Sequence, residues 1–127
     1  MKKILVIDDE VPTLDMLELF LGACGYEVLV AENEAAGMEI FEKERPGIVL
    51  TDIKMPGKDG LTILKRIKEI SAGTEVIVIT GHGDKDLAQR AFELEASGFL
   101  NKPLDTAELN DALERAEERL KRSGASD

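Results

Sequence analysis

Five short apolar segments rich in valine and isoleucine recur along this chain of 127 residues. They occupy residues 4–7, 28–31, 48–51, 76–80 and 98–100. Continuous apolar runs without polar alternation are typical of strands covered on both faces, as in parallel sheets. Each interval between them is long enough for one helical right-handed crossover. The sequence therefore predicts a doubly wound α/β fold.

Helix-boundary signals occupy the intervals between these strands. In chain order they are Pro12 in a first turn, Asn33 as an N-cap, Pro46 after a helix end, a pattern over residues 61–70, Asp84 as an N-cap, and Asp105 with Glu108 as a capping box. Asn and Asp side chains favour helix starts because they accept hydrogen bonds from the free N–H groups of the first turn. Proline, which has no N–H group, is favoured in a first turn. Five helices are therefore expected to alternate with the five strands.

Length and charge exclude several classes of protein. The chain suffices for one domain, which we predict over residues 1–122, followed by a polar tail at 123–127. The net charge of -10 disfavours direct binding to nucleic acid or to anionic membranes. No signal peptide or membrane span is evident, and the single cysteine, Cys24, which we expect to be buried, cannot close an internal disulfide. A cytoplasmic location is expected.

Polar residues follow four of the predicted strands. They are Asp8, Asp9 and Glu10 after the first, Asp52 after the third, Thr80 at the end of the fourth, and Lys102 after the fifth. Ligands of open parallel sheets bind at the carboxyl ends of the strands. If these strands are neighbours, the polar side chains meet at one edge of the sheet.

Carboxylates gathered in this way need a cation. Two unit charges about 4 Å apart repel by roughly 4 kcal/mol at an effective dielectric near 20. Lys102 supplies one positive charge, and an all-oxygen ligand set suits Mg²⁺ better than zinc. A carboxylate beside Mg²⁺ and a lysine is also a suitable nucleophile for forming an aspartyl phosphate.

Four segments carry a family resemblance: residues 7–10 (IDDE), 51–60 (TDIKMPGKDG), 78–81 (VITG) and 99–103 (FLNKP). They resemble the receiver domain of two-component response regulators, over residues 2 to about 121. The resemblance implies a flavodoxin-like sheet of order 2-1-3-4-5. It also implies Mg²⁺-dependent phosphoryl transfer from the phosphohistidine of a sensor histidine kinase or phosphotransfer protein.

The resemblance assigns a role to each site residue. By this resemblance Asp52 is the phosphoacceptor, and Lys102 pairs with the phosphoryl group. Asp9 and Asp52 bind Mg²⁺ directly, Asp8 binds it through water, and Lys54 contributes its backbone carbonyl. Thr80 and Phe99 form a switch pair. The Lys102–Pro103 bond is expected to be cis. Lys54 and His82 lie where the family tunes phosphoryl lifetime.

Such a domain is a switch and not an enzyme acting on external substrates. Its output face is formed by the fourth helix, the last strand and the last helix. Only 25 residues follow Lys102, so we expect output through a downstream protein target or an attached output domain. A phosphorylation-dependent dimer is a further form of output that the resemblance implies.

Two alternatives remain open at this point. One is a Mg²⁺-dependent phosphohydrolase of the haloacid dehalogenase type, which normally needs a second Asp two positions after the nucleophile. Glu10 follows Asp8 and Lys54 follows Asp52 at that spacing. The other is a receiver-like module that is never phosphorylated.

One helical face has no predicted partner within the domain. Met16 and Leu19 point away from the apolar stripe of the first helix. Single exposed apolar residues are common. Our hypothesis is that this pair belongs to the docking surface for the kinase or phosphotransfer helices.

Overall fold

The computed structural model describes residues 2–55, 58–59, 61–81 and 85–122. Its strands are β1 (Lys2–Ile7), β2 (Tyr26–Ala31), β3 (Ile48–Asp52), β4 (Lys54–Met55), β5 (Lys58–Asp59), β6 (Glu75–Thr80) and β7 (Gly98–Asn101). Five of them form a parallel sheet in the order β2-β1-β3-β6-β7. The predicted order 2-1-3-4-5 is confirmed once the antiparallel β4–β5 pair, which was not predicted, is set aside.

Five helices connect these strands: α1 (Val11–Ala23), α2 (Glu34–Glu44), α3 (Leu61–Ile70), α4 (Lys85–Glu93) and α5 (Thr106–Arg122). Asn33 caps α2 by accepting a hydrogen bond from the Ala36 N–H at 2.8 Å. Asp105 caps α5 in the same way, with the Ala107 N–H at 2.7 Å. Both predicted caps are confirmed, whereas the predicted cap at Asp84 lies outside the described residues.

Two apolar layers cover the sheet, one on each face. On one face α1 and α5 pack through residues such as Leu17 and Leu113, and on the other α2, α3 and α4 pack through residues such as Phe41 and Ile67. Burial on both faces explains why the strand segments are continuously apolar. The doubly wound α/β prediction is therefore confirmed.

The strand register brings the chain segments after β1, β3, β6 and β7 to one edge of the sheet. Ile7 pairs with Thr51, Asp52 with Ile79, and Thr80 with Asn101. The Lys102–Pro103 peptide bond that follows β7 is cis, as expected. This edge, which we call the carboxyl edge, positions the candidate site.

Two further expectations concern single features of the chain. Cys24 is exposed, so the prediction that it is buried is wrong: it is the C-cap of α1 and lies beyond the last buried turn of that helix. None of the described helices has the length and apolar composition needed to cross a membrane. The cytoplasmic location stays a prediction, and the predicted tail at 123–127 lies outside the described residues.

Candidate functional site

The ammonium group of Lys102 lies among three carboxylates at the carboxyl edge. Its Nζ is 3.0 Å from Asp8 Oδ2 and 2.9 Å from Asp52 Oδ2, and it also forms an ion pair with Glu10. Asp8 follows β1, Asp52 ends β3, and Lys102 follows β7. The Lys102 N–H donates a hydrogen bond to the Thr80 carbonyl at 2.8 Å, which ties the residue to the end of β6.

Asp8 is the most deeply buried member of the site, with no exposed surface. Its Oδ1 accepts a hydrogen bond from the Glu10 N–H at 2.8 Å, and its Oδ2 lies in the ion pair with Lys102. Burial raises the pKa of the Asp8 carboxyl, and these two contacts offset only part of that effect. Asp8 is therefore a poorly solvated carboxylate that gains from an additional positive charge.

Lys102 experiences the opposite balance. Burial lowers the pKa of its ammonium, but the hydrogen bonds to Glu10, Asp52 and Asp8 outweigh burial, so that the pKa is raised above its ordinary value of 10.5. Lys102 is thus positively charged throughout the neutral pH range. A fixed ammonium beside Asp52 suits the binding of an anionic group there.

The three carboxylates fit a divalent cation by chemistry and by spacing. One oxygen from each of Asp8, Glu10 and Asp52 lies within 4.8 Å of the others. Lys102 brings one positive charge to three negative ones, which leaves an excess of negative charge. Carboxylate oxygens are the ligands that Mg²⁺ prefers. An acidic pocket suited to Mg²⁺ is therefore present.

The group of acids differs from the predicted one at a single position. Asp9 is exposed, and among the described residues the clustered acids are Asp8, Glu10 and Asp52. Glu10 has extended backbone (φ -96°, ψ 108°), and alternate residues of extended chain face the same side. That alternation was the sequence signal that could have placed Glu10 with Asp8. The metal-binding role of Asp9 stays a prediction.

The predicted roles of Lys54 and His82 are not tested by the geometry of the site. Lys54 opens strand β4 directly after the segment that carries Asp52, and the contribution of its carbonyl to a metal site stays a prediction. His82 lies outside the described residues. The expected influence of both residues on phosphoryl lifetime also stays a prediction.

Thr80 ends β6, and Phe99 lies on the neighbouring strand β7. Thr80 is fully buried, and its hydroxyl has no hydrogen-bond partner among the described residues. A buried hydroxyl without a partner is unfavourable, so it gains when an acceptor arrives. Phe99, on β7, is half-buried, and its ring lies 6.5 Å from the exposed ring of Phe92 on α4. Phe99 and Phe92 therefore lie together on β7 and α4, and the switching role of Thr80 and Phe99 stays a prediction.

Comparison with known proteins agrees with this geometry. A sequence model of the family "Response regulator receiver domain" matches residues 4–114. Sporulation initiation phosphotransferase F of Bacillus subtilis is 39% identical over 90% of this chain and 92% of its own length. Transcriptional regulatory protein FixJ of Bradyrhizobium diazoefficiens is 36% identical over 90% of this chain but only 58% of its own. The chain thus matches the first relative almost whole and little more than half of the second.

Solved structures show the same similarity. The crystal structure of a response regulator receiver domain protein from Clostridium thermocellum superimposes with a TM-score of 0.90 and 40% identity. The match covers 95% of this chain and 98% of that one. The arrangement of five parallel strands and five helices is therefore shared across nearly the full length of both chains.

Proposed function

Because the chain belongs to the response regulator receiver domain family, we propose that Asp52 is its phosphoacceptor and that phosphorylation switches a protein-binding face. The chain is a receiver domain of two-component signalling. One observation carries the proposal: the Lys102 ammonium lies 2.9 Å from the Asp52 carboxylate at the carboxyl edge. In this proposal the chain acts as a switch and not as an enzyme on external substrates.

The proposed donor is a phosphohistidine on a sensor histidine kinase or phosphotransfer protein. A carboxylate oxygen of Asp52 attacks the phosphorus, and the P–N bond breaks. Its electron pair stays on the imidazole nitrogen, which takes a proton from water, and Asp52 becomes an acyl phosphate. Lys102 offsets the negative charge of the transferred group because its ammonium is held beside the attacking carboxylate.

The metal belongs to the same proposal. Asp9, Asp52 and the Lys54 carbonyl would hold Mg²⁺ directly, with Asp8 contributing through water. Bound there, Mg²⁺ supplies positive charge that offsets the phosphoryl oxygens. The Thr80 hydroxyl, which has no hydrogen-bond partner among the residues that the structure describes, then has an acceptor in the phosphoryl group on Asp52, and the half-buried Phe99 ring follows its movement. This rearrangement changes the face formed by α4, β7 and α5.

Output follows from that face. The partner is a downstream protein target, an attached output domain, or a second phosphorylated copy of the chain. The kinase or phosphotransfer helices dock elsewhere, on the exposed side of α1. There Leu19 is 77% exposed and Met16 39%, which makes them available to an apolar partner helix.

Labelling with acetyl phosphate and Mg²⁺ tests the phosphoacceptor. Wild type and the control Asp111→Asn, which alters an exposed acid on α5, should each gain a single phosphoryl group, and Asp52→Asn should gain none. Equal labelling of Asp52→Asn would refute Asp52 as the acceptor. Continuous turnover of an added phosphomonoester would instead favour the phosphohydrolase alternative.

A further inference from the structure

Glu10 differs from the other two carboxylates that hold Lys102. Its side chain is 58% exposed, whereas those of Asp8 and Asp52 are 0% and 6% exposed. Glu10 therefore reaches over the site from the solvent side, and the two aspartates hold Lys102 from within. The Glu10–Lys102 ion pair is thus the solvent-facing contact of the ammonium that lies 2.9 Å from Asp52.

The three contacts are also unequal in what it takes to break them. Asp8 is buried and fixed by the Glu10 N–H, so its carboxylate cannot move into water without disrupting the chain. Asp52 is the proposed acceptor and remains in place during transfer. Glu10 alone among the three regains full hydration when it releases Lys102, because its carboxylate is already near solvent.

We propose that Glu10 is a positioning residue that restrains Lys102 in the resting site and must release it before a phosphoryl group is bound. The inference rests on the proposed function and adds a determinant of its rate. In the resting site the ammonium is shared among three carboxylates, and a phosphoryl oxygen has to replace Glu10 as its partner. A chain without this restraint is phosphorylated faster.

Acetyl phosphate gives the simplest form of the reaction. An Asp52 oxygen attacks the phosphorus, the bond between phosphorus and the acetyl oxygen breaks, and acetate leaves with the electron pair. No proton transfer is needed, so the measured rate reports on donor binding and transfer. At saturating Mg²⁺, Glu10→Gln should be labelled about two- to fivefold faster than wild type, a factor that matches the usual strength of exposed ion pairs.

Glu32→Gln is the matched control. Glu32 is exposed directly after β2, so this variant removes the same charge from the same edge of the sheet. It should be labelled at the wild-type rate. A second measurement without Mg²⁺ or donor follows the Lys102 ammonium by NMR. Its hydrogen exchange with water should be several-fold faster in Glu10→Gln and unchanged in Glu32→Gln.

The outcomes separate the two claims. If wild type is labelled on Asp52 but Glu10→Gln matches its rate, the inference is overturned and the proposed function stands. Slower labelling of Glu10→Gln that excess Mg²⁺ restores would identify Glu10 as a metal ligand and also overturn the inference. Equal acceleration in Glu32→Gln would show that the net charge, and not the Glu10–Lys102 ion pair, sets the labelling rate, and would also overturn the inference. An unlabelled wild type would contradict the proposed function itself, and the inference with it.

Discussion

The pKa values of two carboxyl groups are shifted in opposite directions: Asp8 at the carboxyl edge, and Glu117 beside the first residues of β1 and β2. Burial raises the pKa of Asp8, because the surrounding donors do not fully compensate for lost water. Burial also acts on Glu117 of α5, but hydrogen bonds from Lys2 and Tyr26 outweigh it, and the pKa of Glu117 is lowered. The number and charge of nearby donors thus decide the sign at each residue.

Glu117→Gln should destabilise the domain in a pH-dependent way. The pKa of Glu117 is lowered from 4.5 in the fold, so its contribution is present above that pH and is lost as the pH falls through the folded-state pKa. At neutral pH we expect the free energy of unfolding to fall by less than about 1 kcal/mol, since the pair is partly exposed.

Urea unfolding at neutral and acidic pH measures this effect. The difference from wild type should vanish in acid. Glu118→Gln, at a position 64% exposed, is the control and should change stability less. A difference that widens at low pH would contradict the assignment.

Thr80→Val should make the unmodified domain more stable. Valine keeps the shape of the side chain and removes a buried hydroxyl that has no hydrogen-bond partner in the described part of the chain, so the unmodified domain should gain about 1 kcal/mol in urea unfolding. Thr51→Val is the control, because the buried Thr51 hydroxyl donates to the Asp52 carbonyl at 3.3 Å and its removal should not stabilise. A loss of stability in Thr80→Val as large as in Thr51→Val would show that the Thr80 hydroxyl is satisfied.

Much of the candidate site could be predicted from single residues. Asp8, Asp52 and Lys102 were predicted to meet because the ends of neighbouring parallel strands share one edge, and they do meet. Glu10 was among the polar residues expected at this edge, but the resemblance assigned the direct metal role to Asp9, which is exposed, and gave no role to Glu10, which lies with Asp8 and Asp52. The extended backbone at Glu10 continues past Ile7, the last residue of β1, where the apolar pattern that marks the strand has already ended.

At the scale of the elements, two helical glycines have opposite surroundings. A Cβ on Gly22 of α1 would meet nothing within 4 Å, whereas one on Gly37 of α2 would lie 2.5 Å from Cδ1 of the fully buried Ile7. Helix α2 therefore approaches β1 closely because residue 37 has no side chain.

Gly22→Ala should stabilise the domain and Gly37→Ala should not. Alanine at residue 22 gains about 0.5–1 kcal/mol from helix propensity. At residue 37 the same gain is opposed by overpacking, which typically costs about 1–3 kcal/mol. Thermal unfolding of the two variants compares them directly, and an equal rise in Tm would contradict the close packing of α2 on β1.

The elements themselves were predicted more reliably than their ends. Strands β1 and β2 each begin two residues before the predicted start, because pairs such as Lys2 with Tyr26 extend the ladder beyond the apolar run. The β4–β5 pair escaped prediction because its two-residue strands are too short to show a pattern. Pairing between strands is a tertiary property, and local composition marks only its apolar centre.

The whole molecule places its proposed input surface and output face on different elements. The exposed Met16 and Leu19 lie on α1, while Phe92 and Phe99 lie on α4 and β7. The net charge of -10 includes the acids gathered at the carboxyl edge.

Leu19→Asp should slow phosphoryl transfer from a cognate kinase at least several-fold and leave labelling by acetyl phosphate unchanged. The reason is that an apolar contact 77% exposed in the free domain is replaced by a charge. Ile70→Asp, at a position 39% exposed on α3, is the control and should leave both rates unchanged. Equal slowing with both donors would remove the docking surface from the account.

The most direct test of the account is an NMR comparison of backbone amides with and without beryllofluoride and Mg²⁺, in wild type and in Asp52→Asn. Beryllofluoride mimics the phosphoryl group on an aspartate. We predict amide shifts in wild type at Thr80, at Phe99 and along α4, β7 and α5, with none of them in Asp52→Asn. Shifts confined to the acidic pocket, or the same shifts in Asp52→Asn, would contradict a switch controlled by phosphorylation of Asp52.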